Sequence, residues 1–140
     1  MAPLERVAGR PTWLLSRANA RAQALLGAGF AAAGFRGYQY RLLAALDQYG
    51  AGSQADLGRQ TGIDRSDVVA ALNELAEGGF VRRDPDPADG RRNVVSITRK
   101  GRGALERLDT MLDQVQEAVL EPLAPDERAV LVRLLARLAD

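Results

Sequence analysis

Apolar residues recur at intervals of three and four along most of the chain, which is the spacing of amphipathic helices. The first such stripe covers about residues 12–32, where Thr12 supplies an N-cap and a glycine-rich stretch supplies the end. A second stripe runs from Tyr38 to Leu46 and stops before Gly50. The pattern therefore predicts two helices in the first third of the chain.

Two shorter helices joined by a tight turn are predicted next. Ser53 and Asp56 have the spacing of a capping box, with Asp in place of the usual Glu, and Gly62 ends the short helix that they begin. Asp64 then has the position of an N-cap for a second helix. This is the helix-turn-helix pattern, whose second helix enters a DNA major groove. Many helical bundles share the pattern, so it does not establish DNA binding by itself.

A β-hairpin is predicted directly after these helices. Residues 80–83 and 94–98 favour strands, and the polar residues 84–93 between them include Pro and Gly. Arg91 and Arg92 lie near the predicted tip. A hairpin in this place is the wing of a winged helix, whose arginines reach phosphates or the adjacent minor groove.

The last third of the chain predicts two more helices with apolar faces. Thr98 caps the first, Pro122 closes it, and Pro125 lies in the first turn of the second. Their apolar surface exceeds what so small a domain uses alone, which predicts a homodimer, although packing of both faces within one chain remains the alternative. The predicted interface residues are Leu112, Val115, Val119, Leu131, Leu134, Leu135 and Leu138.

Composition removes several kinds of chemistry. The 140 residues include no Cys and no His, which excludes disulfides, thiolate nucleophiles, Ser-His-Asp triads and the usual transition-metal sites. The acidic residues fit no nucleotide loop or acid–base spacing, so we expect neither an enzyme nor a metal or other cofactor. No apolar run approaches the roughly 20 residues of a membrane span, and the first residues lack a secretory signal. We therefore expect a cytoplasmic protein without a membrane partner.

The net charge of +1 conceals an uneven distribution. Residues 1–41 carry six arginines and one glutamate, and residues 82–102 carry seven basic and three acidic residues. The basic block at 82–102 coincides with the predicted wing and favours nucleic-acid binding there. The block at 1–41 is equally compatible with a solvated helix face.

The chain resembles the multiple antibiotic resistance regulator (MarR) family over nearly its whole length. The most specific likeness is GFVRRDPDPADGRRNVVSITRKG, where Asp89, Arg91 and Thr98 stand in the family's register. The resemblance implies a single domain, 1–140, that is mainly α with a small β-hairpin (α+β). In it a winged helix-turn-helix part, 35–102, is flanked by N- and C-terminal dimerisation helices, 12–34 and 103–140.

The resemblance implies a homodimeric transcription regulator that binds a palindromic operator in double-stranded DNA. It also implies a repressor that a small aromatic or anionic ligand releases from DNA. The expected DNA contacts are Arg65, Ser66, Asp67, Val69, Arg91 and Arg92.

Three positions on the predicted recognition helix depart from the family pattern. Asp67, Ala70 and Glu74 replace residues that are usually Thr, Arg and basic, and an acid near a phosphate opposes counterion release. Asp67 could accept a hydrogen bond from cytosine N4, or only favour the helix N-terminus. The departures motivate an alternative function, a winged-helix protein-interaction module that has lost operator binding.

The candidate ligand residues are Trp13, Arg17, Tyr38 and Arg41. An arginine can pair bidentately with a carboxylate, and aromatic rings supply apolar walls, so the combination suits an aromatic acid. The same side chains could equally serve in packing or lie on the surface. Because Cys is absent, the thiol-based oxidant sensors of the family are not models for this chain.

Overall fold

The computed structural model describes all residues from 1 to 140 and contains seven helices and one antiparallel hairpin. The prediction of a mainly α fold with a small hairpin is confirmed. The helices are α1 Glu5–Ala8, α2 Pro11–Ala33, α3 Gly37–Tyr49, α4 Gln54–Thr61, α5 Arg65–Glu77, α6 Arg99–Leu120 and α7 Pro125–Ala139, and the strands are β1 Val81–Pro85 and β2 Asn93–Ile97.

The chain forms two compact units. The central unit is Phe30–Met111, and the outer unit combines Met1–Gly29 with Leu112–Asp140. No helix, including the two longest, carries an apolar stretch that would cross a bilayer.

One apolar core holds the central unit together. The predicted stripe of α3 contributes Leu42, Leu43 and Leu46 to this core, but its first residue, Tyr38, is 42% exposed. Full burial of one such leucine contributes about 1.5–3 kcal/mol. The strands pair in register from Val81 opposite Ile97 to Pro85 opposite Asn93. The largest fully buried side chains are Leu42, Leu43, Leu46, Leu57, Val68, Leu72, Leu75, Val95 and Leu108.

The turn between α4 and α5 forms as its residues predict. The Ser53 N–H donates to Asp56 Oδ2 at 3.0 Å, and the Asp56 N–H donates to Ser53 Oγ at 3.1 Å, which completes the predicted capping box. Gly62 adopts a φ of 70°, the left-handed conformation that ends α4. Asp64 is the N-cap of α5, but its side chain makes no cap hydrogen bond.

The junction between the hairpin and α6 is tightly packed. Thr98 caps α6 as predicted, since the Gly101 N–H donates to Thr98 Oγ1 at 3.0 Å. The Thr98 hydroxyl also donates to the Gly79 carbonyl at 2.6 Å. A Cβ atom on Gly101 would lie 2.1 Å from the Phe80 carbonyl oxygen, so only glycine fits there. The first turn of α6 is thereby fixed to the end of α5.

Three local predictions need correction. Thr12 is not an N-cap, because α2 begins one residue earlier at Pro11, and the Leu14 N–H donates to the Arg10 carbonyl at 3.0 Å. Proline suits that first position because it has no N–H to leave unpaired. The hairpin tip is shorter than predicted, since β1 continues to Pro85 and β2 begins at Asn93. The short helix α1 was not predicted.

The outer unit carries the apolar face of α7. Leu134 and Leu135 are 43% and 40% exposed, Leu138 is 69% exposed, and Leu131 is half-buried. On the outer part of α6, Leu112 and Val119 are half-buried, whereas Val115 is only 8% exposed within the single chain. Arg21 donates to the carbonyls of Ala118 and Val119 at 2.7 and 2.6 Å, which satisfies two carbonyls in the last turn of α6.

Candidate nucleic-acid interface

The N-terminal end of α5 is the exposed part of the helix-turn-helix. Arg65 and Ser66 are exposed, and Asp67 and Val69 are half-buried. The opposite side of α5 is fixed in the core by its apolar stripe, which includes Val68. The first turns of α5, including the predicted contact residues, therefore lie at the protein surface.

The wing presents Arg91 on a structured tip. Asp89 Oδ1 accepts hydrogen bonds from the Arg91 backbone N–H at 3.1 Å and from Arg91 Nε at 3.2 Å. Asp86 accepts from the Ala88 N–H at 2.9 Å, and its own N–H donates to the Arg92 carbonyl at 2.8 Å. The Arg91 side chain is nevertheless 92% exposed. The aspartates thus order the tip, and the Arg91 guanidinium stays exposed to solvent although its Nε is paired with Asp89.

Four arginines from three elements line one open cleft of about 550 Å³. Arg65 comes from the start of α5 and Arg91 and Arg92 from the wing, so the structure brings these predicted residues together. Arg59 on α4 is the fourth, and it was not predicted from the sequence. The remaining lining residues are Ser53, Gln54, Ala55 and Asn93.

A signal for Arg59 was present in the sequence. It lies on the first helix of a helix-turn-helix, the element that crosses the DNA backbone in this motif. It is also the single basic residue of α4, so it stands out less than the paired arginines of the wing.

Asp56 supplies negative charge beside this basic cleft. It forms an ion pair with Arg59, whose side chain is 70% exposed. Hydrogen bonds from the Ser53 backbone and hydroxyl hold the pKa of Asp56 below its usual 3.8, and Arg59 and Arg92 lower the pKa further. Asp56 is therefore ionised at neutral pH and pairs with Arg59 at the edge of the cleft.

A second cleft, of about 370 Å³, lies between the start of α3 and α5. It contains the three recognition-helix positions that depart from the family pattern, Asp67, Ala70 and Glu74. The Glu74 carboxylate is not free there. Its Oε1 lies 3.4 Å from Arg36 Nη2, and its Oε2 accepts a hydrogen bond from Gln39 Nε2 at 2.8 Å. The Arg36 guanidinium therefore offsets part of the charge of Glu74 and reduces the repulsion between Glu74 and a phosphate.

The four candidate ligand residues form two stacked pairs. In the outer unit the Arg17 guanidinium lies 5.9 Å from the centre of the Trp13 ring, and in the central unit the Arg41 guanidinium lies 5.1 Å from the centre of the Tyr38 ring. Both aromatic residues are about two-fifths exposed, at 41% for Trp13 and 42% for Tyr38. Tyr38 and Arg41 also line the cleft beside α5.

The chain is similar to known transcription regulators. A sequence profile of the MarR family matches residues 33–92. The HTH-type transcriptional repressor NicR of Pseudomonas putida is 29% identical over 102 residues, which is 73% of this chain and 65% of NicR. The chain spans about half to two thirds of the length of the first curated relatives that it matches.

Two solved structures match almost end to end. The PcaV regulator of Streptomyces coelicolor, in complex with its natural ligand, is 30% identical, with 100% of this chain and 98% of that chain covered and a TM-score of 0.75. BpsR of Bordetella bronchiseptica, whose DNA binding is regulated by 6-hydroxynicotinic acid, is 28% identical, with 99% of both chains covered and a TM-score of 0.78. From its fold, its wing and these matches, the chain belongs to the MarR family of winged-helix transcription regulators.

Proposed function

We propose that this protein is a sequence-specific, dimeric DNA-binding repressor. The observation that carries the proposal is the convergence of Arg59, Arg65, Arg91 and Arg92 on one cleft. Each comes from an element that meets DNA in a winged helix-turn-helix: the first helix, the recognition helix or the wing.

Arg59 and Arg92 supply phosphate contacts in this proposal. Positively charged side chains that neutralise phosphates release counterions, which provides most of the sequence-independent affinity. The pairing of Arg59 with Asp56 does not prevent this role, since an exposed ion pair is worth only about 0–1 kcal/mol. A phosphate oxygen can therefore take the place of the Asp56 carboxylate at small cost.

Arg65, Ser66, Asp67 and Val69 read bases in the major groove. Arginine pairs bidentately with guanine O6 and N7, serine bonds to several base edges, and an apolar side chain contacts the thymine methyl group. Asp67 accepts a hydrogen bond from cytosine N4. Arg91 enters the minor groove from the wing, where its side chain is 92% exposed and therefore accessible to DNA.

The partner in this proposal is a second copy of the chain. The exposed leucines of α7 form a contiguous apolar face that a monomer leaves in water. A two-fold dimer that buries this face presents two recognition helices to the two halves of a palindrome. Leu112 and Val119 on α6 contribute the edge of the interface, and Val115, already buried in one chain, contributes least.

A small aromatic acid is the proposed effector. Its carboxylate pairs with Arg17 or Arg41, and its ring packs on Trp13 or Tyr38, the aromatic partners of these two arginines. The regulation of BpsR by 6-hydroxynicotinic acid supports this class of molecule, and the complex of PcaV with its natural ligand supports a small-molecule effector in general. NicR, a repressor, supports repression as the outcome.

The test is selection of duplexes from a randomised DNA library by the wild-type protein, followed by affinity measurements on the enriched sequence. We expect a palindromic site and an Arg65→Ala variant that binds it at least about tenfold more weakly, as loss of a bidentate base contact implies. Arg82→Ala is the matched control, because Arg82 is an exposed arginine paired with Asp84 and lies outside the cleft. Failure to enrich any sequence would contradict the proposal.

A further inference from the structure

Gln39 is a buried polar residue on the apolar stripe of α3. It is only 6% exposed, and it lies three, four and seven residues before the core residues Leu42, Leu43 and Leu46. A polar side chain at such a position needs hydrogen-bond partners, because burial without them costs free energy. The partners of Gln39 connect two parts of the winged helix.

The hydrogen bonds fix which way the Gln39 amide points. Its Oε1 accepts from the backbone N–H of Arg36 at 2.8 Å, and a backbone N–H can only donate. Its Nε2 therefore faces the other way and donates to Glu74 Oε2 at 2.8 Å. The amide thus joins the first residue before α3 to the third turn of the recognition helix α5.

Glu74 is held from two sides by this arrangement. Gln39 binds one carboxylate oxygen, and Arg36 lies 3.4 Å from the other. Glu74 is 44% exposed, so without these contacts its charge would be free to face the phosphates that α5 approaches. The remaining charged or titratable groups lining the same cleft are Tyr38 and Arg41 on α3 and Asp67 on α5.

We infer that Gln39 is a positioning residue for DNA binding. It holds the Glu74 carboxylate against α3 and so fixes the position of the recognition helix α5 on α3, while Arg36 neutralises the charge of Glu74. This inference rests on the proposed DNA-binding function. The bond from Gln39 to an ionised carboxylate is charge-assisted and partly buried, the kind of hydrogen bond that contributes most. Glu74 lies nine residues after Arg65, about 13 Å along α5. A change in the length of the Gln39–Glu74 hydrogen bond therefore tilts the N-terminal end of α5, which reads bases in the proposed complex.

The variant Gln39→Glu tests the inference with a pH profile. It sets two carboxylates against each other at hydrogen-bond distance, where both cannot remain ionised without repulsion. At pH 8 we expect the affinity of Gln39→Glu for the enriched duplex to be about tenfold weaker than that of wild type. At pH 5.5 one of the two carboxyl groups keeps a proton and the hydrogen bond returns. We therefore expect the affinity to recover to within about threefold of wild type. The chain has no His and no Cys, so no other side chain has an ordinary pKa within this range.

Two further variants separate positioning from damage. Exchange of the two groups, Gln39→Glu with Glu74→Gln, rebuilds the amide–carboxylate bond in reverse, and we expect it to restore affinity and abolish the pH dependence. Gln48→Glu is the control, because it adds the same charge at an exposed position of the same helix. We expect its affinity to match wild type at both pH values.

The outcomes distinguish this inference from the proposed function. If the wild-type protein enriches no duplex, the DNA-binding proposal fails, and the inference fails with it. If the wild-type protein binds but Gln39→Glu shows the affinity and pH profile of wild type, only the positioning role is overturned. A loss of affinity that is equal at both pH values and that the exchange does not repair would mark a merely structural residue and would also overturn the inference.

Discussion

Asp89 holds Arg91 through two hydrogen bonds, one to the backbone N–H at 3.1 Å and one to Nε at 3.2 Å, at the tip of the wing. The contact directs an otherwise exposed side chain without burying it. Pre-ordering of this kind reduces the entropy lost when the guanidinium binds its target. In the proposed DNA complex Asp89 therefore assists binding, even though an acid repels DNA.

The relation between these two residues predicts unequal, coupled effects on DNA affinity. Arg91→Ala removes the cation itself and should weaken binding about tenfold or more, while Asp89→Ala leaves the cation but not its orientation and should weaken binding only about threefold. The double variant should be no weaker than Arg91→Ala. A titration by fluorescence anisotropy checks this. Tighter binding by Asp89→Ala would show that removal of its charge outweighs its ordering effect.

Arg59 should contribute affinity without sequence preference. Arg59→Ala leaves one phosphate per subunit without its cation, so binding should weaken on specific and random duplexes alike. The slope of log affinity against log salt concentration should become shallower by about 0.9 for each phosphate that is no longer neutralised. The comparison with Arg82→Ala, outside the cleft, controls for removal of positive charge in general. Unchanged affinity of Arg59→Ala would remove α4 from the interface.

Replacement of Gly101 should destabilise the folded protein, whereas replacement of Gly103 should not. Gly101→Ala drives a Cβ atom to 2.1 Å from the Phe80 carbonyl oxygen and should cost about 1–3 kcal/mol of unfolding free energy. Gly103→Ala meets only the Arg107 guanidinium at 3.6 Å and should stabilise α6 by about 0.5–1 kcal/mol. Denaturant titrations measure both. Equal effects of the two substitutions would contradict the packing at the junction.

Asp56 should make stability sensitive to acid. Its folded-state pKa is lowered below 3.8, chiefly by the Ser53 hydrogen bonds, so its contribution is present above pH 3.8 and is lost as the pH falls below that value. The stability advantage of wild type over Asp56→Ala should therefore be constant from pH 7 to about 5 and shrink towards pH 3. Thermal unfolding across this range checks the sign. An advantage that grows on acidification would refute the assignment.

The exposed face of α7 should control the oligomeric state. Leu134→Asp puts a charge into the proposed dry interface and should yield monomers, because burial of an unpaired charge is strongly unfavourable. Val132 is 59% exposed and lies about 200° around the helix from Leu134, so Val132→Asp should leave the dimer intact. Sedimentation or light scattering distinguishes the results. A stable dimer of Leu134→Asp would place the interface elsewhere.

Local features of the fold could be predicted from the sequence because they depend on near neighbours. The capping box of Ser53 and Asp56 requires only a spacing of three residues, and the end of α4 requires only a glycine at position 62. Thr12 was misassigned as a cap because two good first-turn residues, Pro11 and Thr12, compete for adjacent positions. Helix periodicity does not decide between them.

Interactions between distant residues could not be predicted in the same way. The Gln39–Glu74 bond joins positions 35 residues apart, and it depends on how α3 packs on α5. The position of Gln39 on an apolar stripe could have indicated a buried partner, but not which one. For the same reason Glu74 looked like an obstacle to DNA binding until its partners were visible.

The salt dependence of affinity for the enriched duplex tests the central claim most directly. A dimer that uses Arg59 and Arg92 of each subunit on phosphates neutralises at least four of them, so the plot of log affinity against log salt should have a slope of about −3.5 or steeper. That result would show that binding releases the number of counterions that the proposed phosphate contacts require. A slope near zero, or no difference in affinity between the enriched and a random duplex, would contradict the account.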